Sequence, residues 1–173
     1  MPSIVLATCT TWPDLSAGDA PLARALMERH GIEVRTARWN AAEDQPLFAS
    51  ADTVVLRSNW DYHHTPEAFA AWLGGQEAQG TTVFNQPALV RWNLDKRYLL
   101  DLAAKGAATP ITRIVPPSAQ AIGGVLDAEG WGRAVLKPSV GASGHNVQLI
   151  ERGDDLASVL TELGLAASGR EVM

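Results

Sequence analysis

The stretch RAVLKPSVGASGHNVQLI, residues 133–150, places a lysine and a proline before a small glycine-containing loop, with a β-type apolar run on either side. A Walker A loop reads G-x-x-x-x-G-K-[ST], and a dinucleotide fingerprint reads G-x-G-x-x-G between a strand and a helix. Neither order occurs. Lys137 precedes the loop, Gly141 and Gly144 stand three apart, and Val147, Leu149 and Ile150 mark a second strand. The unit is therefore strand, loop, strand. Ser139, Gly141, Ala142, Ser143 and Gly144 have little side-chain bulk, so their backbone N–H groups can converge on an anion while Lys137 supplies charge. Taken alone, the loop reads equally well as a surface hairpin with glycine at its positive-φ positions.

Upstream, Asn93 reads as the N-cap of a helix over LDKRYLLDLAAKG, with Leu94, Tyr98, Leu99 and Leu102 on one face and a stop at Gly106. Lys96 and Arg97 then fall in its first turn, where the helix dipole disfavours cations. Asp95 compensates Arg97 locally. For Lys96, the alternative is an anion shared with the first free N–H groups of the helix. The apolar run TRIV (112–115), a helix over 118–129 and a helix over 154–165 complete this half of the chain.

The first half alternates strands and helices. SIVLAT (3–8) is the continuous apolar run of a strand buried on both faces. A helix capped by Asp19, with Pro21 in its first turn, ends at Gly31. Strands are expected over 32–39, 52–58 and 81–85, and a helix capped by Thr65 with Pro66 at N1 precedes the last of them. This order implies an α/β fold with a parallel, Rossmann-like, doubly wound sheet over 1–92, followed by a smaller α+β part over 93–173. Ligands of such sheets bind at the carboxyl ends of the strands, where CTTWPD and RSNWDYHH fall. Arg57, Ser58, Trp60, Asp61 and Tyr62 cluster there. Arg57 suits a carboxylate and Asp61 an amine, and the same residues read equally as a structural loop. The other tryptophans are expected in the core.

The chain has 173 residues, 46% of them hydrophobic and 19% charged, enough to bury a core. A net charge of -5 argues against a non-specific nucleic-acid binder. The single cysteine, Cys9, excludes an internal disulfide framework and makes a reducing cytoplasm the expected compartment. Cys9 itself reads as a small buried filler rather than a nucleophile. The amino terminus suggests neither a signal peptide nor a membrane span. His30, His63, His64 and His145 lack metal-ligand spacing and read as solvent-facing.

RWNLDKRYLLDLAAKG, ATPITRIV and GWGRAVLKPSVGASGHNV together resemble the first part of an ATP-grasp ligase, and VVLRSNWDYHHTPEAF resembles the sheet domain that precedes its nucleotide site. The branch is glutathione-synthetase-like and includes the cyclo-ligase that closes the ring of cycloserine from O-ureido-serine. The resemblance implies that ATP is clamped between two α+β subdomains and activates a carboxylate as an acyl phosphate, which an amine or similar nucleophile attacks. By position, it makes Lys96 the first nucleotide lysine and Lys137 the second. The loop from Ser139 to Gly144 becomes the flexible loop over the β- and γ-phosphates. Implied partners are ATP, Mg²⁺ and a small carboxylate such as an amino acid or short peptide.

The family's metal ligands, two acidic groups and an asparagine, come well after the glycine loop, whereas this sequence stops at GREVM. The metal ligands are therefore expected beyond residue 173, and the 173-residue chain is expected to be inactive by itself. Glu151, Asp154, Asp155, Glu162 and Glu171 fall on a strand end, a cap, a helix face and the terminus, where solvated charges are ordinary. Two readings follow: an ATP-dependent ligase seen through its amino-terminal portion, or a nucleotide- or metabolite-binding module that does not catalyse.

Overall fold

β1 (Ser3–Thr8) is the spine of a four-stranded sheet, and every residue in it except Ile4 is buried. In the computed structural model, which describes residues 2–173, the sheet order is β2-β1-β3-β4, all parallel, with β2 at Glu33–Arg38, β3 at Thr53–Leu56 and β4 at Thr82–Phe84. The chain divides into two units, Met1–Trp92 and Asn93–Met173. The sheet belongs to the first.

Between its strands lie α1 (Ala20–His30), the short α2 (Gln45–Ala49) and α3 (Pro66–Ala78). Gly31 ends α1 in the left-handed conformation at φ 61°, and its N–H donates to Met27 O at 3.1 Å. Phe48, Leu73, Val5, Leu6 and Val54 are fully buried, each side chain contributing about 1.5–3 kcal/mol of burial. Trp39 meets Phe69 edge-on at 5.0 Å, and Phe48 meets Trp72 at 5.1 Å.

Three expectations for this unit are corrected. Asp19 and Thr65 stand at helix N-cap positions, yet neither side chain caps its helix. Asp19 turns its carboxylate to Arg57 and Ser58 instead. The tryptophans are not all core: Trp39 is buried, but Trp12 is 54% and Trp92 40% exposed.

The largest correction concerns Asn93. A helix, α4 (Pro87–Leu94), begins with a proline and runs through Asn93, which therefore caps nothing. Asp95, Lys96 and Arg97 form the turn to α5 (Tyr98–Ala104). The Lys96 N–H is not a free helix-end donor either, because it donates to Ser139 O at 2.8 Å.

In the second unit, α6 (Ala119–Ala128) is capped by Ser118 Oγ, which accepts from Ala121 N at 3.2 Å. β5 (Arg133–Leu136) and β6 (Gln148–Glu151) form the expected antiparallel hairpin, and α7 (Leu156–Glu162) is capped by Asp155. Ala134, Leu136 and Ile150 face Ile122, Leu126, Val159 and Leu160 in one apolar core. The opposite face carries Val135 and Leu149, cross-strand partners that are 52% and 54% exposed. Val172 bridges Val115 on one side and Pro138 on the other, which draws residues 171–173 alongside the start of the glycine loop. No helix among the described residues is long and apolar enough to cross a membrane.

Candidate functional site

The glycine loop and the 95–97 turn meet in the second unit. Lys96 is tied to the loop twice: its backbone N–H donates to Ser139 O, and its Nζ donates to Gly141 O at 2.7 Å. Ser139 is buried and donates from Oγ to Asp95 Oδ2 at 3.3 Å, while its own N–H donates to Glu171 O at 3.0 Å. Lys137 exchanges two backbone hydrogen bonds with Met173, at 3.0 and 2.9 Å. The root of the loop is thus held by two separate segments, residues 95–96 and residues 171–173.

Its tip has a different character. Ser143, Gly144 and Asn146 lie at φ 53°, 71° and 57°, and His145 N donates to Ala142 O at 3.0 Å. Ser143, Gly144 and His145 are exposed. Gly141 is required for space rather than for its torsion angles: a methyl group there would stand 2.9 Å from Pro138 Cγ and 3.6 Å from Lys96 Nζ.

Half-buried Lys96 has its pKa lowered, by desolvation first and then by the positive charge of Lys137, against the opposing pull of Asp95. Two ammonium groups are therefore held within electrostatic reach of each other. Four acidic groups of this unit pair with arginines: Asp95 and Glu171 with Arg97, Glu129 with Arg113, Asp127 with Arg152. This arrangement suits a polyanion, which would relieve the repulsion between the lysines. Beside it, Val115, Val125, Trp131, Val135, Lys137 and Met173 help to line a largely apolar cavity of about 410 Å³. Lys137 is common to the cavity and the loop root.

The sequence-predicted cluster of the first unit lies at the carboxyl edge of its sheet. Arg57 N and Ser58 N both donate to Ala7 O. The Arg57 Nε donates to Asp19 Oδ1 at 2.6 Å and the Ser58 Oγ to Asp19 Oδ2 at 3.1 Å. Burial works to raise the pKa of Asp19, but hydrogen bonds from Arg57, Ser16 and Ser58 and the charge of Arg57 outweigh it, and the net shift is downward. Asp61 is buried, with Oδ1 accepting from Trp39 Nε1 and Oδ2 from Asn40 Nδ2, both at 2.8 Å. Ser58 and Asp61 thus spend their polar atoms on the fold. Trp60 and Arg57 are exposed, and Tyr62 packs against Phe69 at 5.6 Å.

His63 is half-buried rather than solvent-facing, with Nδ1 2.8 Å from Trp60 O. Cys9 is fully buried, 3.3 Å from Thr11 Oγ1, as a small core residue. Sequence reasoning missed Asn40, which ties Thr10 to Asp61 across 51 residues of chain. It also missed Asp19 as the partner of Arg57. Both are long-range pairings that no local pattern announces.

Comparison with known proteins finds relatives in both sequence and fold. Residues 4–85 match the model of the D-cycloserine synthetase DcsG N-terminal domain. The cycloserine biosynthesis protein DcsG of Streptomyces lavendulae is 36% identical over 127 residues, covering 70% of this chain and 41% of that protein. The crystal structure of D-cycloserine synthetase DcsG superposes with a TM-score of 0.84 at 28% identity, over 98% of this chain and 57% of the other. A RimK domain ATP-grasp protein from Sphaerobacter thermophilus gives 0.68 at 22% identity, over 98% and 62% respectively, a likeness of fold alone. The chain thus spans about half the length of the relatives it matches. Residues 4–85 are similar to the DcsG N-terminal domain, and the chain as a whole is similar in sequence to the amino-terminal portion of DcsG and in fold to that of the ATP-grasp protein.

Proposed function

We propose that this chain provides the acceptor-side sheet and the first nucleotide-holding part of an ATP-dependent ligase that joins a carboxylate to an amine or similar nucleophile. The observation that carries the reading is the pair Lys96 and Lys137, placed at the root of a small-residue loop and left outside the carboxylate pairs around them. Lys96, Lys137, Ser139, Gly141, Ala142, Ser143 and Gly144 hold the phosphates, and the apolar cavity that includes Lys137 has room for a purine base.

In the proposed reaction, a carboxylate oxygen attacks the γ-phosphorus and ADP leaves. The nucleophile then attacks the acyl carbon, phosphate leaves, and the nucleophile loses its proton. The lysines and the loop contribute positioning and charge neutralisation, the main demands of phosphoryl transfer. Arg57, Ser58, Trp60, Asp61 and Tyr62 belong to the acceptor side, with Arg57 and Trp60 facing outward and Ser58 and Asp61 fixing the loop beneath them. Mg²⁺ would neutralise phosphate charge in such a ligase. The described residues do not fit it, because they contain no group of three His, Cys, Asp or Glu side chains able to hold a metal. We assign its ligands to no residue here and no step to it.

Calorimetric titration with ATP and magnesium tests the reading. Lys137→Ala should weaken binding roughly tenfold to a hundredfold, since hydrogen bonds to charged groups contribute about 1.5–3 kcal/mol. Equal affinities for parent and variant would overturn the assignment.

A further inference from the structure

We propose that Trp12 and Trp60 form the specificity surface of an acceptor site at the carboxyl edge of the first unit's sheet, selecting a small amino acid with a flat or bulky apolar side chain. The inference rests on the ligase reading above for its place in a reaction, but its binding claim is testable without ATP.

Trp12 and Trp60 leave neighbouring strands, β1 and β3, at their carboxyl ends. Their rings meet edge to face at 5.3 Å and 75° while remaining 54% and 38% exposed. Exposed indoles on a loose tip would need no explanation, but these two are built in. Trp12 exchanges backbone hydrogen bonds with Cys9, and Thr8 Oγ1 donates to Pro13 O at 3.2 Å. Asn40 accepts from Thr10 N at Oδ1, and its Nδ2 serves both Thr10 Oγ1 and Asp61 Oδ2. One side chain thereby joins the loop carrying Trp12 to the loop carrying Trp60. A pre-organised aromatic surface loses little freedom when a ligand settles on it.

Two polar groups of the same loop define what the ligand must offer. Arg57 turns both Nε and Nη2 to Asp19 Oδ1, and its 43% exposed side chain keeps Nη1 for a carboxylate. Asn59, between Ser58 and Trp60, donates from Nδ2 to Thr8 O and leaves Oδ1 buried without a partner. A buried acceptor without a partner calls for a donor, and the ammonium of an amino acid is such a donor. Carboxylate, ammonium and apolar side chain then each have a counterpart.

The experiment is calorimetric titration of the 173-residue chain with phenylalanine and with alanine, each as both enantiomers and without nucleotide. One enantiomer of phenylalanine should bind at least tenfold more tightly than the corresponding alanine. Trp12→Leu and Trp60→Leu, with unchanged melting temperatures, should each remove most of that preference. Arg57→Gln should weaken both ligands by a similar factor. Equal binding of phenylalanine and alanine, or a preference that survives both tryptophan substitutions, would overturn the proposal. Loss of ATP binding would leave these titrations unaffected and would count against the ligase reading instead. If the parent binds ATP through Lys137 but no amino acid, only the present inference fails.

Discussion

The ammonium of Lys96 donates to the carbonyl of Gly141 at 2.7 Å, so a residue 45 positions away fixes where the loop begins its exposed arc. A side chain at position 141 would crowd both Pro138 and that ammonium. Gly141→Ala should therefore displace Pro138, loosen Lys96 and cost about 1–3 kcal/mol of stability through overpacking. Chemical unfolding measures the cost, and ATP titration should show weakened binding. A variant with unchanged stability and affinity would mean that the loop root tolerates expansion and does not set the site.

The lowered pKa of Lys96 gives a second outcome. Because its folded-state value lies below the ordinary lysine value, the unfolded chain holds the extra proton in the interval between them, and stability rises with pH across that interval. Below the folded value, Lys96 contributes strain that a polyanion relieves. Lys96 should react with amine reagents at lower pH in the folded chain than in the urea-unfolded chain, and ATP should suppress the reaction. Peptide mass mapping across a pH series reads this directly; identical Lys96 profiles in the folded and unfolded chain would contradict it.

The legibility of the chain followed the range of the interactions. The parallel sheet could be read because SIVLAT and DTVVLRS carry their burial in a continuous apolar run, and the β5–β6 hairpin because its two strands flank one small-residue loop. The helix after Asn93 was misread because its apolar spacing continues that of PALVRWNL, while the break at Asp95–Arg97 is enforced by a hydrogen bond to Ser139 that local pattern does not reveal. Lys96 stands on a turn between two helices, not in the first turn of a capped helix. The partners of Arg57 and Asp61 were illegible for a related reason. Asp19 lies 38 positions from Arg57 and Trp39 lies 22 from Asp61, so only the sheet topology brings them together.

Asp61→Ala tests the division of labour at the sheet edge. It would leave Trp39 Nε1 buried without its acceptor and free Asn40 from one of its two loops. Each unsatisfied buried group costs about 1–3 kcal/mol, so a loss of that order is expected in urea unfolding. The Trp12–Trp60 pair should also lose its fixed geometry, visible as a change in near-ultraviolet circular dichroism. An Asp61→Ala protein of parental stability would show that the carboxylate is not a structural anchor.

Asp19 makes the most specific statement about acid. Its folded-state pKa is lowered, so by linkage it contributes stability that is fully present above the ordinary carboxylate value and is lost as pH falls through the folded value. Protonation would take an acceptor from Arg57 and Ser58 together and release the start of α1 from the end of β3. Asp52 and Asp44 are also lowered, by hydrogen bonds from Ser3 and from Arg38, so the acid sensitivity of the whole chain does not isolate Asp19. A comparison does. Asp19→Asn should be less stable than the parent at pH 7 by about 1.5–3 kcal/mol, toward the lower figure because the Arg57 side chain is 43% exposed. The gap should narrow once pH falls below 4 and close when Asp19 is protonated in the parent's folded state. Urea unfolding of both proteins from pH 7 to pH 2.5 measures that gap. A difference that stays constant over the range would mean that the asparagine disturbs packing rather than removing a charge, and the electrostatic account of the β3 end would have to be abandoned.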